Sequence, residues 1–301
     1  MSGVRDVRRA ARSALHSERV PAGVRDGLIS ARDAMRRSTA RWRVLPEFVI
    51  IGVHKGGTTS LYDYLAGHPQ VVPAFEKEIH YFDSRWDGRV ESYRASFPNA
   101  ARMRFVERRH GQAVTGEASP YYISHPHVPR RVAELVPDAR LILLLRNPVD
   151  RTISAFHHNR RRTLNEPLDS LAAAIDRELN ELSDEQQRLI ADEEYPDFEY
   201  AWHCYLARGV YVDQLRWWHE CFPREQVLVL QSERLGEHPA EVFDEVRRFI
   251  GLAEWSPPVF ARLNANTYDD VDPAVRRRLE EYFAPHNERL YAYLGERYDW
   301  S

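Results

Sequence analysis

Residues 48–66 read FVIIGVHKGGTTSLYDYLA, and this stretch decides the fold class of the chain. It belongs to a β-rich apolar run (47–53) that is short enough for a buried parallel strand. A glycine-bearing loop follows the run and leads into a helical stretch (60–66). A strand, a glycine loop and a helix in this order bind phosphates, because the free N–H groups and the dipole of the helix N-terminus attract an anion.

The residue types in this loop suit a phosphate site. Gly56 and Gly57 let the backbone approach an anion closely, and Lys55 adds a mobile positive charge. The hydroxyl donors of the loop are Thr58, Thr59 and Ser60. Any one of these residues is weak evidence alone, but the strand, the loop and the helix together predict phosphate binding.

The order of these residues is not that of a kinase loop. The usual nucleoside triphosphate loop is G-x-x-x-x-G-K-[ST], with its lysine after the last glycine, whereas Lys55 precedes both glycines. The most hydrophobic strand, at 141–145 (LILLL), ends in Arg146 and not in the aspartate of a Walker-B magnesium site. Cations without a magnesium carboxylate indicate a donor that needs no chelated metal. The chain has no zinc-like Cys/His cluster either, so we predict no metal.

Arg146 directly follows a buried strand, where open α/β sheets place ligand-binding residues. Ser154 falls about two turns along the helix expected after it. An arginine fork and a hydroxyl suit a terminal phosphate dianion. An arginine in this position is by itself more often part of a structural ion pair, but the Lys55 loop upstream favours phosphate binding.

Alternating strands and helices predict an α/β, P-loop-like fold of three layers, with a central, mostly parallel sheet flanked by helices. Further strands are expected at 71–73, 113–117 and 227–230. Further helices are expected at 126–136, from Pro148 to 161, and at 168–181, 198–207, 210–221, 240–250 and 273–294. We therefore assign residues 45–301 to one domain.

Residues 1–44 contain eleven Arg and four acidic residues, with thin hydrophobic periodicity. We interpret them as a basic, partly helical N-terminal arm. A solvated appendage is the plainer expectation, and contact with a partner or an anionic surface is the alternative.

Composition excludes some functions. A net charge of −3 and a pI near 6.5 argue against a general nucleic-acid binder. No apolar run approaches the length of a membrane span and no apolar signal core is seen, so a cytoplasmic location is expected. Cys204 and Cys221 are expected to be reduced thiols, although a pairing stays open, as does the oligomeric state.

With these motifs the chain resembles the sulfotransferases that use 3′-phosphoadenosine 5′-phosphosulfate (PAPS), especially the heparan sulfate N- and 3-O-sulfotransferases. The likeness covers about residues 46–295. IIGVHKGGTTSLYDYL looks like the family's 5′-phosphosulfate loop, and LLLRNPVDRTISAF looks like its 3′-phosphate motif, with Arg146 and Ser154 in the binding positions. GEASPYY, RGVYVDQLRWW and PHNERLYAYLG are supporting stretches.

The resemblance also implies catalytic residues. FEKEIHYFD (75–83) is similar to the segment with the family's catalytic glutamate, which falls on Glu78, with Glu76 as the nearest competitor. An acceptor hydroxyl or amine loses a proton as it attacks sulfur, so a nearby carboxylate is a sensible base. Lys55 is expected to stabilise the leaving phosphate oxygen. His80 is expected to position the acceptor or Glu78, with a packing role as the alternative.

Two more residues are candidates for contact with substrate. Only two of the 42 basic residues are lysines, and the second, Lys77, precedes Glu78. It is expected to keep Glu78 ionised or to contact acceptor or donor anions, with a plain surface lysine as an equal alternative. Glu117, at a predicted strand end, is expected either to line the cleft or to form a structural ion pair.

One stretch departs from the family. Heparan-type enzymes cover the donor with a late, basic, disulfide-closed loop, whereas the corresponding residues 264–272 (NANTYDDVD) contain no Lys, Arg or Cys. Tyr268 is the residue expected to contact the nucleotide there. The implied function is sulfuryl transfer from PAPS to a small-molecule, lipid or glycan acceptor. A P-loop-type kinase and a non-catalytic nucleotide-binding protein are the alternatives.

Overall fold

The computed structural model describes residues 22–161, 166–263 and 271–300. Within these residues, four strands form one sheet in which every pairing is parallel. The strands are β1 (Phe48–Gly52), β2 (Gly116–Ala118), β3 (Arg140–Leu145) and β4 (Val227–Gln231), and their order across the sheet is β2-β1-β3-β4. The predicted α/β fold with a parallel central sheet is confirmed.

The two central strands, β1 and β3, are buried on both faces of the sheet. Successive side chains of a strand point to opposite faces. The even-numbered residues, such as Ile50 and Ile142, enter one hydrophobic core, and the odd-numbered residues, such as Val49 and Leu141, enter the other. A strand with two buried faces must be apolar along its length, which explains the continuous runs in the sequence.

Helices cover both faces of the sheet and complete the three layers. Their bounds are α1 (Ala22–Ser38), α2 (Thr58–Gly67), α3 (Val90–Arg94), α4 (Ala100–His110), α5 (Val128–Leu135), α6 (Pro148–Arg161), α7 (Leu171–Glu181), α8 (Glu185–Ala191), α9 (Phe198–His203), α10 (Tyr211–Cys221), α11 (Ser232–Glu237), α12 (Pro239–Phe249) and α13 (Pro273–Leu294). The even-numbered face packs against α2 and α12 through Leu61 and Val242. The odd-numbered face packs against α5 and α10 through Val132 and Leu215.

Three of the predicted elements differ most from the structure. The strand expected at 113–117 is observed as β2, at Gly116–Ala118. The strand expected at 71–73 is wrong, because Val71 forms only an isolated parallel bridge with Val114. Pro73 has no N–H with which to continue a ladder. The helix expected at 198–207 is too long, since α9 ends at His203 and a 3₁₀ helix, Ala207–Gly209, follows. The helix expected at 273–294 has the bounds of α13.

The described part of the N-terminal arm packs against the domain. Arg36, in α1, is 6% exposed, and its guanidinium carbon lies 3.3 Å from the centre of the Phe75 ring. Arg43 donates a hydrogen bond of 2.8 Å to the carbonyl oxygen of Phe97. Stacked guanidinium groups cover apolar surface while keeping their charge. This part of the arm is therefore not a solvated appendage, and within it Ala22–Ser38 form helix α1.

Both cysteines are free thiols in this structure, with Cys204 buried and Cys221 exposed. Among the described residues, no helix is both long and apolar enough to cross a membrane.

Candidate functional site

The loop after β1 has the backbone geometry that the sequence predicted. Gly57 has a left-handed φ of 87° and caps the start of α2, a conformation that glycine adopts without strain. At Gly56 there is no room for a side chain, because a Cβ atom would lie 2.8 Å from the carbonyl oxygen of Leu144. Lys55 also has a positive φ, of 73°. The backbone therefore turns sharply into the helix N-terminus, which leaves its N–H groups for an anion.

The three hydroxyl residues of the loop lie in the first turn of α2 but differ in their surroundings. Thr58 and Ser60 are buried, whereas Thr59 is partly exposed. The Ser60 hydroxyl oxygen accepts a 3.0 Å hydrogen bond from the N–H of Leu263. This hydrogen bond connects Leu263, the last described residue before 271, to the first turn of α2. Tyr268, which the sequence predicted at the nucleotide, lies outside the described residues.

Arg146 and the Lys55 loop, separated by some ninety residues, are in direct contact. Arg146 Nη1 donates a 3.0 Å hydrogen bond to the carbonyl oxygen of Lys55. The Tyr211 hydroxyl, from α10, donates a 2.9 Å hydrogen bond to the carbonyl oxygen of Arg146. The two motifs that the sequence assigned to phosphate binding therefore form one site, with a cation from each.

Helix α6 contains the predicted Ser154 and a second residue whose side chain contacts Lys55. Ser154 is 1% exposed, two turns into the helix, as predicted. One turn further, His158 Nδ1 lies 3.5 Å from Lys55 Nζ. Sequence reasoning missed His158, although its spacing of four residues from Ser154 places both on one helix face. That spacing was the available signal.

His54 is a second residue that sequence reasoning missed. Its ring lies edge-on to that of His158, with centroids 5.4 Å apart. Burial, together with the charges of Arg208 and Lys55, holds the pKa of His54 well below its ordinary value. A neutral imidazole is thus kept next to the cationic loop. Its Nδ1 atom is buried and has no hydrogen-bond partner.

Residues 75–83, the segment with the predicted base, have an unusual backbone. Glu78 and His80 both have positive φ values, of 61° and 52°. Such values are uncommon for residues other than glycine and persist only where surrounding contacts hold them. The N–H of Glu78 donates a 3.0 Å hydrogen bond to the carbonyl oxygen of Ala118, the last residue of β2. Glu78 is thereby fixed at the end of a strand that neighbours β1.

The Glu78 carboxylate is exposed and carries a cation beside it. Its side chain is 47% exposed, and it forms an ion pair with Lys77, whose side chain is 18% exposed. An adjacent ammonium group favours the ionised form of a carboxylate. The competitor, Glu76, instead forms a 2.8 Å ion pair with Arg32 of α1. This arrangement keeps Glu78 as the candidate base.

His80 is paired with an acidic neighbour. Its Nδ1 atom lies 2.7 Å from a carboxylate oxygen of Asp83, whose side chain is fully buried. Burial opposes protonation of His80, but the hydrogen bond and charge of Asp83 outweigh it and raise the pKa of the imidazole. Asp83 was not singled out from the sequence. The only sequence signal for this pair was the spacing of three residues between His80 and Asp83.

Glu117 lies beneath this segment and not on its open side. It is fully buried, and its carboxylate accepts hydrogen bonds from Tyr93 and Ser119, each at 2.7 Å, and from Tyr122 at 3.3 Å. Burial raises its pKa to about 7. The expectation that Glu117 lines the cleft is therefore wrong, because no face of the carboxylate is open to a substrate. The alternative, an ion pair, is replaced by a hydroxyl network.

These groups converge on the carboxyl edge of the sheet. Lys55 follows β1, Arg146 follows β3, and Glu78 is bonded to the end of β2. Ligands of open α/β sheets bind at this edge. No group of three or more His, Cys, Asp or Glu side chains suited to a metal is found in the described ranges. The arrangement provides two cations and a helix N-terminus for an anionic donor, and a carboxylate at its side.

Comparisons with known proteins identify the family of the chain. Residues 45–263 match the sulfotransferase domain family. The chain is 27% identical over 319 residues to the membrane-associated sulfotransferase kil1 of Dictyostelium discoideum, with 85% of this chain and 66% of the relative covered. It is 28% identical over 281 residues to human heparan sulfate glucosamine 3-O-sulfotransferase 3B1, with 85% and 65% covered.

A solved sulfotransferase from Alicyclobacillus acidocaldarius has the same fold. Its TM-score is 0.63 at 30% sequence identity, with 85% of this chain and 99% of that chain covered. The chain spans slightly less than two thirds of the length of the two curated relatives named above. The sequence-based assignment to the sulfotransferases is confirmed for the domain that these proteins share.

Proposed function

The chain belongs to the sulfotransferase domain family, and on this basis we propose that it transfers a sulfuryl group from PAPS to a hydroxyl or amine of an acceptor. One observation supports the proposal most directly. Arg146 donates a 3.0 Å hydrogen bond to the backbone of Lys55, so the two stretches predicted to bind the 3′-phosphate and the 5′-phosphosulfate are in contact. A donor with phosphate groups at both positions needs both motifs at once.

The residues of this site suit such a donor. The absence of a side chain at Gly56 lets the loop pack closely against Leu144, and the N-terminus of α2 presents N–H groups to the phosphosulfate end. We propose that Thr58, Thr59 and Ser60 donate hydrogen bonds there, while Arg146 and Ser154 bind the 3′-phosphate. Tyr268 is proposed to contact the nucleotide from the segment after Leu263.

When bound, PAPS supplies the sulfuryl group and carries a phosphate leaving group. We propose that Lys55 places its ammonium group against the developing negative charge on that phosphate, where stabilisation raises the rate. His158 Nδ1, 3.5 Å from Lys55 Nζ, keeps the ammonium group at the loop. No metal is assigned a role, because the site supplies cations of its own, Lys55 and Arg146.

On the acceptor side, we propose that Glu78 accepts the proton that the attacking hydroxyl or amine releases. The Glu78 carboxylate is exposed, ion-paired with Lys77, and held at the carboxyl edge of the sheet by the bond to Ala118. His80, fixed by Asp83, is proposed to donate a hydrogen bond that orients the acceptor or Glu78. Lys77 is proposed to keep Glu78 ionised and to meet anionic groups of the acceptor.

The acceptor is proposed to be a small molecule, a lipid or a glycan. Two human relatives are heparan sulfate glucosamine 3-O-sulfotransferases, which favours a glycan among these. Incubation with PAPS carrying labelled sulfur and with separate glycan, lipid and small-molecule fractions of the producing cell tests this directly. We expect a mass gain of one sulfuryl group in the glycan fraction. A gain confined to another fraction would redirect the acceptor assignment. The cytoplasmic location stays a prediction, since one relative is named as membrane-associated.

Calorimetry separates this proposal from a kinase function. We expect 3′,5′-adenosine bisphosphate to bind without magnesium and ATP to bind more weakly with or without it. Preference for ATP with magnesium would contradict the proposal and favour the kinase alternative. Tight nucleotide binding without any sulfuryl transfer would instead favour a non-catalytic binding protein.

A further inference from the structure

A cavity lies between the N-terminal arm and the segment that carries Glu78. Its volume is about 180 Å³. Helix α1 forms one wall, and the 76–96 region forms the other. The basic lining residues are Arg32, Arg36, Arg37 and Arg85. The acidic lining residues are Asp33, Glu76 and Asp87.

The central feature of the cavity is a buried cation that lacks hydrogen bonds. Arg36 is 6% exposed, and its Nε and Nη2 atoms are buried without a hydrogen-bond partner. Its guanidinium group is stacked on the Phe75 ring, which fixes its plane but satisfies none of these N–H groups. A buried guanidinium group with unpaired N–H groups is costly, because it has lost its water without gaining an acceptor.

The acidic residues of the cavity are already engaged by other groups. Asp33 and Glu76 each form a 2.8 Å ion pair with Arg32. The Asp87 carboxylate accepts hydrogen bonds from the hydroxyl groups of Tyr81 and Ser92. Among the described residues, Arg36, Arg37 and Arg85 have no ion pair with an acidic side chain, and of these three only Arg36 is buried.

The electrostatic environment of Arg36 agrees with this description. Burial, together with repulsion by Arg43 and Arg32, lowers the pKa of Arg36 to about 10. The group is still protonated near neutral pH, so the cavity holds a positive charge that an anion would stabilise.

We infer that this cavity binds a small oxyanion, with the Arg36 guanidinium group as its principal donor and Arg37 and Arg85 at its rim. A planar fork of N–H groups suits sulfate, phosphate or a carboxylate. None of the residues that line this cavity belongs to the proposed donor site, which is formed by the Lys55 loop, Arg146 and Ser154. The anion's source is either a free ion or an anionic substituent on a larger molecule.

Calorimetric titration of the full chain with sodium sulfate, at constant ionic strength, tests this inference. Saturating 3′,5′-adenosine bisphosphate is added first, so that the donor loop does not bind the titrated sulfate. Arg36→Gln is compared with Arg41→Gln, a matched change in the arm at a side chain that lies over Trp42 outside the cavity. We expect Arg36→Gln to weaken sulfate binding at least about tenfold, and Arg41→Gln to bind sulfate as the unmodified chain does.

Equal sulfate binding by Arg36→Gln and the unmodified chain would overturn the inference, as would the absence of sulfate binding by the unmodified chain. If Arg36→Gln fails to fold, Arg85→Gln, which changes the opposite wall of the cavity, is titrated instead. We expect Arg85→Gln to weaken sulfate binding about threefold or more. Unchanged binding by Arg85→Gln would then overturn the inference.

Repeating the titration with methyl sulfate distinguishes the two sources. Equal affinity for methyl sulfate and sulfate supports an oxyanion that is part of a larger molecule, whereas preference for sulfate supports a free ion. The test is independent of catalysis. Should the nucleotide fail to bind, the proposed function fails, while the comparison of Arg36→Gln with Arg41→Gln in the Lys55→Ala background still decides the inference.

Discussion

The Lys55 loop and the segment that carries Glu78 (75–83) lie at the same edge of the sheet but are held in different ways. The loop from β1 into α2 is shaped by consecutive residues, with the turn made at Gly56 and Gly57. Residues 75–83 are shaped by distant partners, among them Ala118 and Ser119, which bond to the N–H groups of Glu78 and His80. Given the proposed function, changes in the Lys55 loop should affect nucleotide binding, and changes in residues 75–83 should affect turnover.

The largest expected effect belongs to the acceptor side. Glu78→Gln should lower kcat by about 10²- to 10⁴-fold, because the amide cannot accept the proton that the acceptor releases. The affinity for 3′,5′-adenosine bisphosphate should change little. Steady-state kinetics and calorimetry on the same protein measure both.

Two further variants make this test specific. Glu91→Gln, at an exposed position of α3, is the matched control and should keep the original rate. Glu76→Gln tests the competing assignment. A full rate in Glu78→Gln together with a large loss in Glu76→Gln would reverse the two roles.

On the donor side, Lys55→Ala should lower kcat by about 10²- to 10³-fold, because it removes the charge that stabilises the leaving phosphate oxygen. It should also weaken nucleotide binding, in contrast to Glu78→Gln. Single-turnover kinetics with saturating PAPS separates the two effects. A variant that loses binding but transfers at the original rate once saturated would contradict a role for Lys55 in the transition state.

A smaller effect on selectivity is expected from Arg146→Ala. Loss of a charged hydrogen bond costs about 1.5–3 kcal/mol, so 3′,5′-adenosine bisphosphate should bind about 10- to 100-fold more weakly. Adenosine 5′-phosphate, which lacks the 3′-phosphate, should bind nearly as before. Arg140→Ala, at the amino end of the same strand, serves as the control. Equal losses for both nucleotides in Arg146→Ala would contradict the assigned contact.

The smallest expected effect concerns stability and the buried carboxyl of Glu117. Because its pKa is raised to about 7 in the folded chain, the folded state keeps a proton that the unfolded chain releases near its ordinary pKa of 4.5. The stabilisation that the raised pKa of Glu117 gives the folded state is fully present below its ordinary pKa of 4.5. The free energy of unfolding therefore falls as the pH rises from about 4.5 to 7.

Glu117→Gln should remove this part of the pH dependence, roughly 1–3 kcal/mol between pH 5 and pH 8. Urea unfolding at a series of pH values measures it as the difference between the two proteins. Burial also raises the pKa of Glu178 to about 7. Glu178 contributes equally to the pH dependence of both proteins, so its contribution cancels in the difference. Identical pH profiles would show that Glu117 does not titrate in this range.

Prediction from the sequence succeeded where structure is local. The order of strand, glycine loop and helix around Lys55, the position of Arg146 after a strand and the bounds of α13 could all be read from neighbouring residues. Glu117 was misplaced because a carboxylate at a strand end looks the same whether it faces a cleft or a hydroxyl network. His158 was missed because only the packing of α6 brings it to Lys55.

The sequence by itself thus determined the site around Lys55, since a strand, a glycine turn and a helix N-terminus follow one another within some twenty residues. Tertiary structure decided the surroundings of Glu78. The contacts that hold this segment come from β2, about forty residues later, and from α1, about forty residues earlier. Backbone preference acts between neighbours, whereas such contacts depend on packing that no single stretch of sequence contains.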